Sequence, residues 1–227
     1  MKKIINFEKK LFKLENDLYH LGSMNIESKS RYSYEGDGLS VSICPEAWSK
    51  IARICSDTLW KLEKKDIKLL NYYSLTEADF KIISEIGVKN GFLTKIISYK
   101  HTYYDDEFEA EYSSLYENFS EALVEAYLED ECESYEEYLN IKDEGCGYIE
   151  KIIAYSPTEK LKKASFIEVN LSNADLMHFL LYLEHNTDLD GVYWDEILDV
   201  SRLSAPRGVI FNSKLNTFSK TKLKCYF

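Results

Sequence analysis

Proline and glycine are scarce in this chain, at 3 and 9 of its 227 residues. This scarcity excludes collagen-like repeats and Pro/Gly-rich low-complexity sequence. Long apolar runs are also missing, because the longest covers only Phe179 to Leu183, far below the ~20 residues that a helix needs to span a bilayer. The basic start reaches Glu8 after only four further residues, too few for the apolar part of a secretion signal. We therefore expect no membrane association.

Cysteine is sparse and arranged in no recognisable framework. The five cysteines are odd in number and form no C-x-x-C pair, a pattern that fits a reducing compartment better than a disulfide scaffold. We therefore expect a cytoplasmic protein. Motifs of the P-loop, G-x-G-x-x-G, H-E-x-x-H and G-x-S-x-G types are absent, as is any zinc-type cluster of Cys and His, so no metal site is expected.

The residues that are present describe a folded protein. The chain is 45% hydrophobic, 14% aromatic and 30% charged, which is typical of a globular domain with a substantial core. Lys and Arg number 28 against 39 Asp and Glu, for a net charge of −11. Because phosphates are repelled by such a surface, direct nucleic-acid binding is not expected.

Charge divides the chain into two parts. The segment 103–150 holds 17 acidic residues and one basic residue, Lys142, and is net −16, while the rest of the chain is net +5. A local change of this size predicts a lobe with its own surface character. We expect an acidic helical insertion over 103–150 in a core formed by 1–102 and 151–227.

The flanking sequence alternates between strand-like and helix-like patterns. Strands are expected at 17–23, 39–43, 58–63, 92–104, 148–155, 164–171, 191–194, 208–212 and 221–226. Helices are expected from Pro45, over 74–88 with a Ser74/Glu77 capping box, over 119–127, after a second box at Ser134/Glu137, and from Ser172. This mixed order favours an α+β fold with a mixed, partly antiparallel sheet core and flanking helices.

Five glutamates in the acidic segment repeat every four residues: Glu121, Glu125, Glu129, Glu133 and Glu137. In one continuous helix they would form a like-charged stripe, and each neighbouring pair would cost ~0.2–0.5 kcal/mol. A basic surface would relieve that cost, so the segment predicts a basic protein partner. This supports an acidic, non-enzymatic inhibitor, immunity protein or DNA mimic, although a solvated helix face explains the same pattern.

The first functional hypothesis, to which the acidic binding protein is the alternative, rests on the order of four segments along the chain. His20 lies in the strand-like LYHLGS, and a glycine turn then leads into GLSVSICPEAWSKIA with Ser40 and Ser42 on one strand face. Near the C-terminus, the aromatic GVYW feeds into Asp195 and Glu196. The later LSAPRGVIF holds Arg207 in a constrained loop.

This order resembles the ADP-ribosyltransferase fold. The resemblance implies that His20 contacts the ribose of NAD, that Ser40 and Ser42 line the nicotinamide site, and that Glu196 polarises the ribose, with WDEILD standing where arginine-specific members have E-x-E or Q-x-E. NAD would be consumed as a substrate when the nicotinamide–ribose bond breaks, with transfer to a macromolecule. His20 and Glu196 are then the catalytic candidates, and Ser40 and Ser42 are cofactor-binding candidates.

Two further cofactor-binding candidates follow from the chemistry of NAD. A pyrophosphate needs a cationic donor, for which we select Arg207. A nicotinamide or adenine ring needs a stacking surface, for which we select Trp194. A carboxylate beside the ribose would stabilise the oxocarbenium-like state that forms as the bond breaks. The sequence thus supports two functions, a transferase and an acidic binding protein, and they can coexist in one chain.

Overall fold

The computed structural model describes residues 5–25, 36–51, 56, 58–105, 110–126, 134–141, 148–198 and 205–224. Its ten strands within these ranges are β1 Leu18–Leu21, β2 Leu39–Val41, β3 Thr58–Glu63, β4 Leu69–Asn71, β5 Leu93–Asp105, β6 Ala110–Tyr116, β7 Tyr148–Pro157, β8 Gly191–Trp194, β9 Arg207–Ile210 and β10 Ser219–Lys224. The α-helices in the same ranges are α1 Pro45–Ile51, α2 Glu77–Lys89, α3 Phe119–Glu125, α4 Tyr135–Ile141, α5 Glu159–Ala164 and α6 Ala174–Asn186. Short 3-10 turns lie at Phe7–Lys10, Tyr72–Ser74 and Asn212–Thr217.

A four-stranded mixed sheet, sheet A, has the order β2-β9-β8-β4 and is buried on both faces. Its β4–β8 pair is parallel and its other pairs are antiparallel. Val192 pairs with Val209, and both enter the larger apolar cluster together with residues of α2 and α6. Tyr193 and Ile210 belong to a second cluster on the other side. The strict alternation of strand side chains therefore gives sheet A two packed faces.

The second sheet, sheet B, has the order β1-β3-β10 and is antiparallel throughout. Leu18 of β1 and Leu62 of β3 join the same cluster as Tyr193 of sheet A. Sheets A and B also touch through one bridge, in which the backbones of Tyr19 and Ser42 exchange two hydrogen bonds of 2.9 Å. This bridge places β1 beside β2, the edge strand of sheet A, and so brings His20 near Ser40 and Ser42.

Helices α2 and α6 cover the remaining face of sheet A. α2 ends before Gly91, whose φ of 73° is one that glycine adopts without strain. Its capping box is formed by Thr76 and Asp79 and not by the predicted Ser74 and Glu77. The prediction was wrong here because Ser74 belongs to a 3-10 turn, where its hydroxyl donates to the backbone of the preceding strand end.

The third sheet, sheet C, has the order β6-β5-β7, and its strand β6 is an element that the prediction of a helical acidic segment did not include. Strand β6 lies inside that segment, and Tyr112 of β6 pairs with Tyr103 of β5. Strand-favouring tyrosines and the pairing with β5 outweigh the acidic composition here. Helices α3 and α4 do form in the segment, and Phe119 packs with Tyr138 in a third apolar cluster. The division into a core and an inserted domain stays a prediction.

One predicted strand does not form. Residues 164–171 lie between the end of α5 and the start of α6 without any ladder partner, although Ile167 and Val169 alternate into the core. The backbone N–H of Ile167 donates to the carboxylate of Asp37 at 2.7 Å instead of to a neighbouring strand. The alternating pattern of this segment therefore reflects two core residues in a connection between helices, and not a strand.

The α+β class and the mixed, partly antiparallel sheets are confirmed. None of the helices within the described ranges has the length and apolar character that crossing a bilayer requires. The two clusters around sheet A leave its β8–β9 end as the place where the candidate residues meet.

Candidate functional site

Glu196 lies just beyond the end of β8, between a tyrosine and an arginine. Its Oε2 accepts a hydrogen bond from Nη1 of Arg207 at 2.7 Å, and its Oε1 accepts one from the hydroxyl of Tyr73 at 3.0 Å. Strand pairing explains the first contact, because Trp194 at the end of β8 lies opposite Arg207 at the start of β9. The carboxylate is therefore fixed by two donors from different parts of the chain.

The tyrosine of this group stays protonated over the physiological range. Partial burial raises the pKa of Tyr73 to about 12, and the negative charge of Glu196 adds to the effect, while Arg207 opposes it. A phenol in this state donates a hydrogen bond to the carboxylate and does not act as a base. Glu196 is thus an ion-paired acceptor, with its charge largely balanced by Arg207.

Arg207 also contacts the indole of Trp48 on α1. The guanidinium carbon lies 6.0 Å from the centre of that ring, at the outer limit of a cation–π contact. The arginine is thus held by a carboxylate on one side and lies near an aromatic ring. Its predicted role as a pyrophosphate donor stays a prediction, in which NAD would have to share the guanidinium with Glu196.

Ser42 is a structural link in this region. Its hydroxyl donates to the carbonyl of Pro206 at 2.5 Å and accepts from the N–H of Cys44 at 2.9 Å, and the residue is only 1% exposed. It therefore ties the end of β2 to the residue before Arg207. A cofactor could reach this hydroxyl only by displacing those bonds, so its cofactor-binding role stays a prediction.

His20 bridges β1 to its surroundings with both ring nitrogens. Nδ1 lies 2.8 Å from the carbonyl oxygen of Ser40, and Nε2 lies 2.9 Å from that of Ser23. Carbonyl oxygens only accept, so a neutral imidazole can donate just one of these bonds and an imidazolium can donate both. A catalytic contact to a ribose would replace one of them. The catalytic role of His20 stays a prediction, as does cofactor binding by half-buried Ser40.

Trp194 is part of the core. Its ring is 6% exposed and lies 5.2 Å, centre to centre, from the ring of Tyr72. Tyr72 in turn contacts Phe80 and Phe179 in an aromatic cluster between sheet A and the helices. A stacking role for Trp194 therefore stays a prediction that would require the indole to leave this packing.

The structure thus brings several predicted residues into one neighbourhood. Arg207 bonds to Glu196, and Ser42 bonds to the carbonyl of Pro206, the residue before Arg207. His20 joins through the carbonyl of Ser40. Tyr73, which comes from the turn after β4, was not predicted from the sequence. No local pattern signals it, because its position depends on the parallel pairing of β4 with β8, which sequence order alone does not reveal.

The acidic segment provides a second candidate surface at the far end of sheet C. Phe119, Ala122 and Leu123 bury one face of α3, which leaves Glu121 and Glu125 exposed on the other. Within the part of the chain that the structure describes, neither glutamate forms an ion pair with a lysine or arginine. The condition for a single stripe of five glutamates, one continuous helix, is not met, because α3 ends at Glu125 and α4 begins anew at Tyr135. Glu129 and Glu133 lie outside the described residues.

Exposed tyrosines lie on the same face of sheet C as α3. Tyr103 and Tyr112 are stacked with their ring centres 6.0 Å apart and are 37% and 42% exposed. His101 stacks on Tyr103 at 5.4 Å and is buried, which lowers the pKa of its imidazole, while the charge of Glu125 opposes that effect. Glu125 therefore lies near one end of a row of aromatic side chains whose other end, Tyr103 and Tyr112, is exposed. Such rings supply large contact areas with little loss of conformational entropy.

Comparisons with known proteins add no relative to this picture. No family model, no curated protein and no solved structure matches the chain.

Proposed function

We propose that this chain is an acidic, non-enzymatic binding protein that docks a basic surface of a partner protein, as an inhibitor or immunity protein does. The observation that carries the proposal is the exposed pair Glu121 and Glu125 on α3, without lysine or arginine partners in the described ranges. On the same proposal the protein acts in the cytoplasm, where its five cysteines would stay reduced.

Charge complementarity would supply both recognition and speed. Unpaired carboxylates on one face steer a cationic partner into contact and disfavour acidic competitors. The exposed tyrosines Tyr103 and Tyr112 beside α3 would then provide the apolar part of the contact. Because ~0.15 M salt limits charge interactions to about 8 Å, the complex should weaken steeply as salt is added.

Charge reversal tests the proposal. The double variant Glu121→Lys with Glu125→Lys is titrated with an octa-arginine peptide at low and at high salt, by calorimetry. The wild-type chain should bind and the variant should not, while both unfold at the same denaturant concentration. A control with the same net charge is Glu77→Lys with Glu168→Lys, since both residues are exposed and lie on other elements.

The stability and the peptide affinity of these variants show whether Glu121 and Glu125 contact a partner or another part of the same chain. If the α3 reversal destabilises the free protein, the glutamates serve a contact within the chain and the proposal fails. If the α3 and control variants bind the peptide equally well, the acidic face has no special role and the proposal also fails.

A second candidate function is the NAD-consuming transferase, which the Tyr73–Glu196–Arg207 contacts favour. These contacts hold the carboxylate of Glu196 beside the guanidinium of Arg207. The side chain of Glu196 is 17% exposed and that of Arg207 is 23% exposed. The remaining candidates fit less well, because Ser42 and Trp194 are buried and satisfied where NAD would need them. Our preference for the binding protein rests on this difference.

Melting in the presence of NAD separates the two functions. A ligand at a hundred times its dissociation constant stabilises the folded state by ~2.7 kcal/mol. The transferase hypothesis therefore expects a higher melting temperature at millimolar NAD, and expects Glu196→Gln to remove NAD hydrolysis while the fold is kept. An unchanged melting temperature favours the binding protein.

A further inference from the structure

Strand β7 shows which backbone groups of sheet C point outwards. The N–H of Ile149 donates to the hydroxyl of Tyr138 at 2.5 Å, and the N–H of Lys151 donates to that of Tyr135 at 3.1 Å. Both tyrosines belong to α4, on the side of β7 away from β5. In an antiparallel ladder the direction alternates along the strand. The odd-numbered residues of β7 therefore face away from β5, and the even-numbered ones bond to it.

The same alternation continues across the sheet to β6. Even-numbered residues of β5 bond to β7, so its odd-numbered residues bond to β6, where they pair with Tyr112, Ser114 and Tyr116. The residues between them on β6 must then direct both N–H and C=O away from the sheet. They are Glu111, Ser113 and Leu115. In the stretch of chain that the structure describes, nothing bonds to these outward groups.

The two edges of sheet C therefore differ. Helix α4 covers part of the β7 edge with tyrosine hydroxyls, whereas none of the described residues bonds to the β6 edge. An open strand edge is a ready template for an added strand, whose main chain can pair with every outward N–H and C=O in turn. This geometry specifies an extended occupant.

Charge around the β6 edge specifies the chemistry of that occupant. Glu111 lies on the strand, Glu117 directly follows it, and both are exposed. Glu125 of α3 is close enough to affect the pKa of Tyr116 at the end of β6. One half-buried lysine, Lys100, lies across from Leu115. Acidic groups thus outnumber basic ones along the edge, which favours a cationic segment.

We propose that a basic, extended segment of the partner binds as an added β-strand along β6. Its main chain bonds to Glu111, Ser113 and Leu115. Its arginine or lysine side chains face Glu111 on one side of sheet C, or Glu125 and the ring of Tyr112 on the other, because neighbouring residues of β6 point to opposite faces. This inference rests on the proposed function and names the binding mode and the chemistry of the partner.

The test uses the full chain and an eight-residue peptide of alternating Arg and Val. Amide exchange is followed by NMR at about 20 mM salt, where charge interactions are weakly screened. Binding should slow exchange at Glu111, Ser113 and Leu115 and leave Tyr112 and Ser114 unchanged, because their N–H groups already bond to β5. The same peptide with N-methyl groups on alternate residues cannot complete the ladder and should bind about tenfold more weakly or worse.

Proline variants provide a matched pair. Ser113→Pro removes one outward N–H from β6 and spares the bonds to β5, so it should weaken peptide binding by about tenfold or more. Ser113→Ala should bind like the wild type. Ile153→Pro removes an outward N–H from the opposite edge and should leave binding unchanged. Thermal melting checks that each variant is folded, and the N-methylated peptide tests the same point without any variant.

Three results would overturn the inference. The first is equal affinity for the plain and N-methylated peptides, which indicates attraction by charge alone and leaves the proposed function intact. The second is slow exchange at the three outward amides before any peptide is added, together with a dimer in sedimentation, which makes a second copy the occupant. The third is no binding of the plain peptide. Failure of the proposed function is separate, because it is decided by the Glu121 and Glu125 reversal with octa-arginine.

Discussion

Lowering the pH should destabilise this protein through one buried histidine, His178 on α6. Its side chain lies against α2 and the start of β5, is 3% exposed, and packs on the ring of Phe92 at 5.6 Å. Nδ1 has no hydrogen-bond partner in the described part of the chain. Gly87 of α2 lies close to that edge of the ring, since a Cβ at this position would be only 2.9 Å from Nδ1. Protonation would place a charge in an apolar contact between helices.

The magnitude follows from the pKa. Burial lowers the pKa of His178 from 6.5 to about 4. As the pH falls below 6.5, the unfolded chain takes up a proton that the folded chain refuses until about pH 4. Stability is therefore lost between these two values and not above them. Each tenfold difference in proton affinity between the two states is worth about 1.4 kcal/mol, so the loss is roughly 3 kcal/mol, a large part of a typical domain's total.

Urea unfolding, followed by tryptophan fluorescence at several pH values between 7.5 and 4, measures this loss. Carboxylates also titrate in that range, so the quantity of interest is the difference between the wild type and His178→Leu. The variant should lose roughly 3 kcal/mol less than the wild type on acidification. The same substitution at exposed His185 on α6 controls for removal of a histidine. Parallel pH curves for the wild type and His178→Leu would refute the reasoning.

Three substitutions should destabilise the fold by separate mechanisms, each measured by urea unfolding at pH 7. Gly87→Ala would place its Cβ 2.7 Å from Cε1 of His178, and such overpacking costs about 1–3 kcal/mol. Lys64→Met strips the ammonium from the buried Asp190 carboxylate, which costs about 3 kcal/mol or more; adding Asp190→Asn should recover part of it, and no recovery would contradict the mechanism. Tyr138→Phe removes the acceptor of a buried N–H of β7 at about 1–3 kcal/mol, and an unchanged stability would show that water replaces the hydroxyl.

Local sequence patterns predicted the strands in which apolar, β-branched and aromatic residues are frequent. The strands at Thr58–Glu63 and Gly191–Trp194 were predicted at the bounds that the structure shows. β6 was missed because its acidic and polar residues carry no alternating apolar signal, and only pairing with β5 makes it a strand. The segment 164–171 was predicted as a strand because its apolar residues alternate with polar ones. Ile167 and Val169 do enter the core, but the segment pairs with no other strand.

The candidate residues show the same division. That Glu196 and Arg207 contact each other could be anticipated only in outline, because it follows from the β8–β9 pairing. The burial of Ser42 and Trp194 could not be anticipated, since a serine or tryptophan in a strand has the same sequence signature on an open face as on a packed one. Tyr73 lies in the turn after β4. Its contact with Glu196 depends on the parallel pairing of β4 with β8, two strands that are distant in the sequence.

The two edges of sheet C suggest why the segment 103–150 is acidic. Its folding does not require the charge, because Phe119 and Tyr138 supply the apolar contacts that hold α3 and α4 on the sheet. An uncharged β6 edge would pair with the same edge of a second copy. Antiparallel pairing of two such edges would bring Glu111 of one copy close to the acidic residues of the other, and like charges across strands are destabilising. On the proposed binding mode, the carboxylates therefore have two effects: they oppose self-association and they select a basic strand.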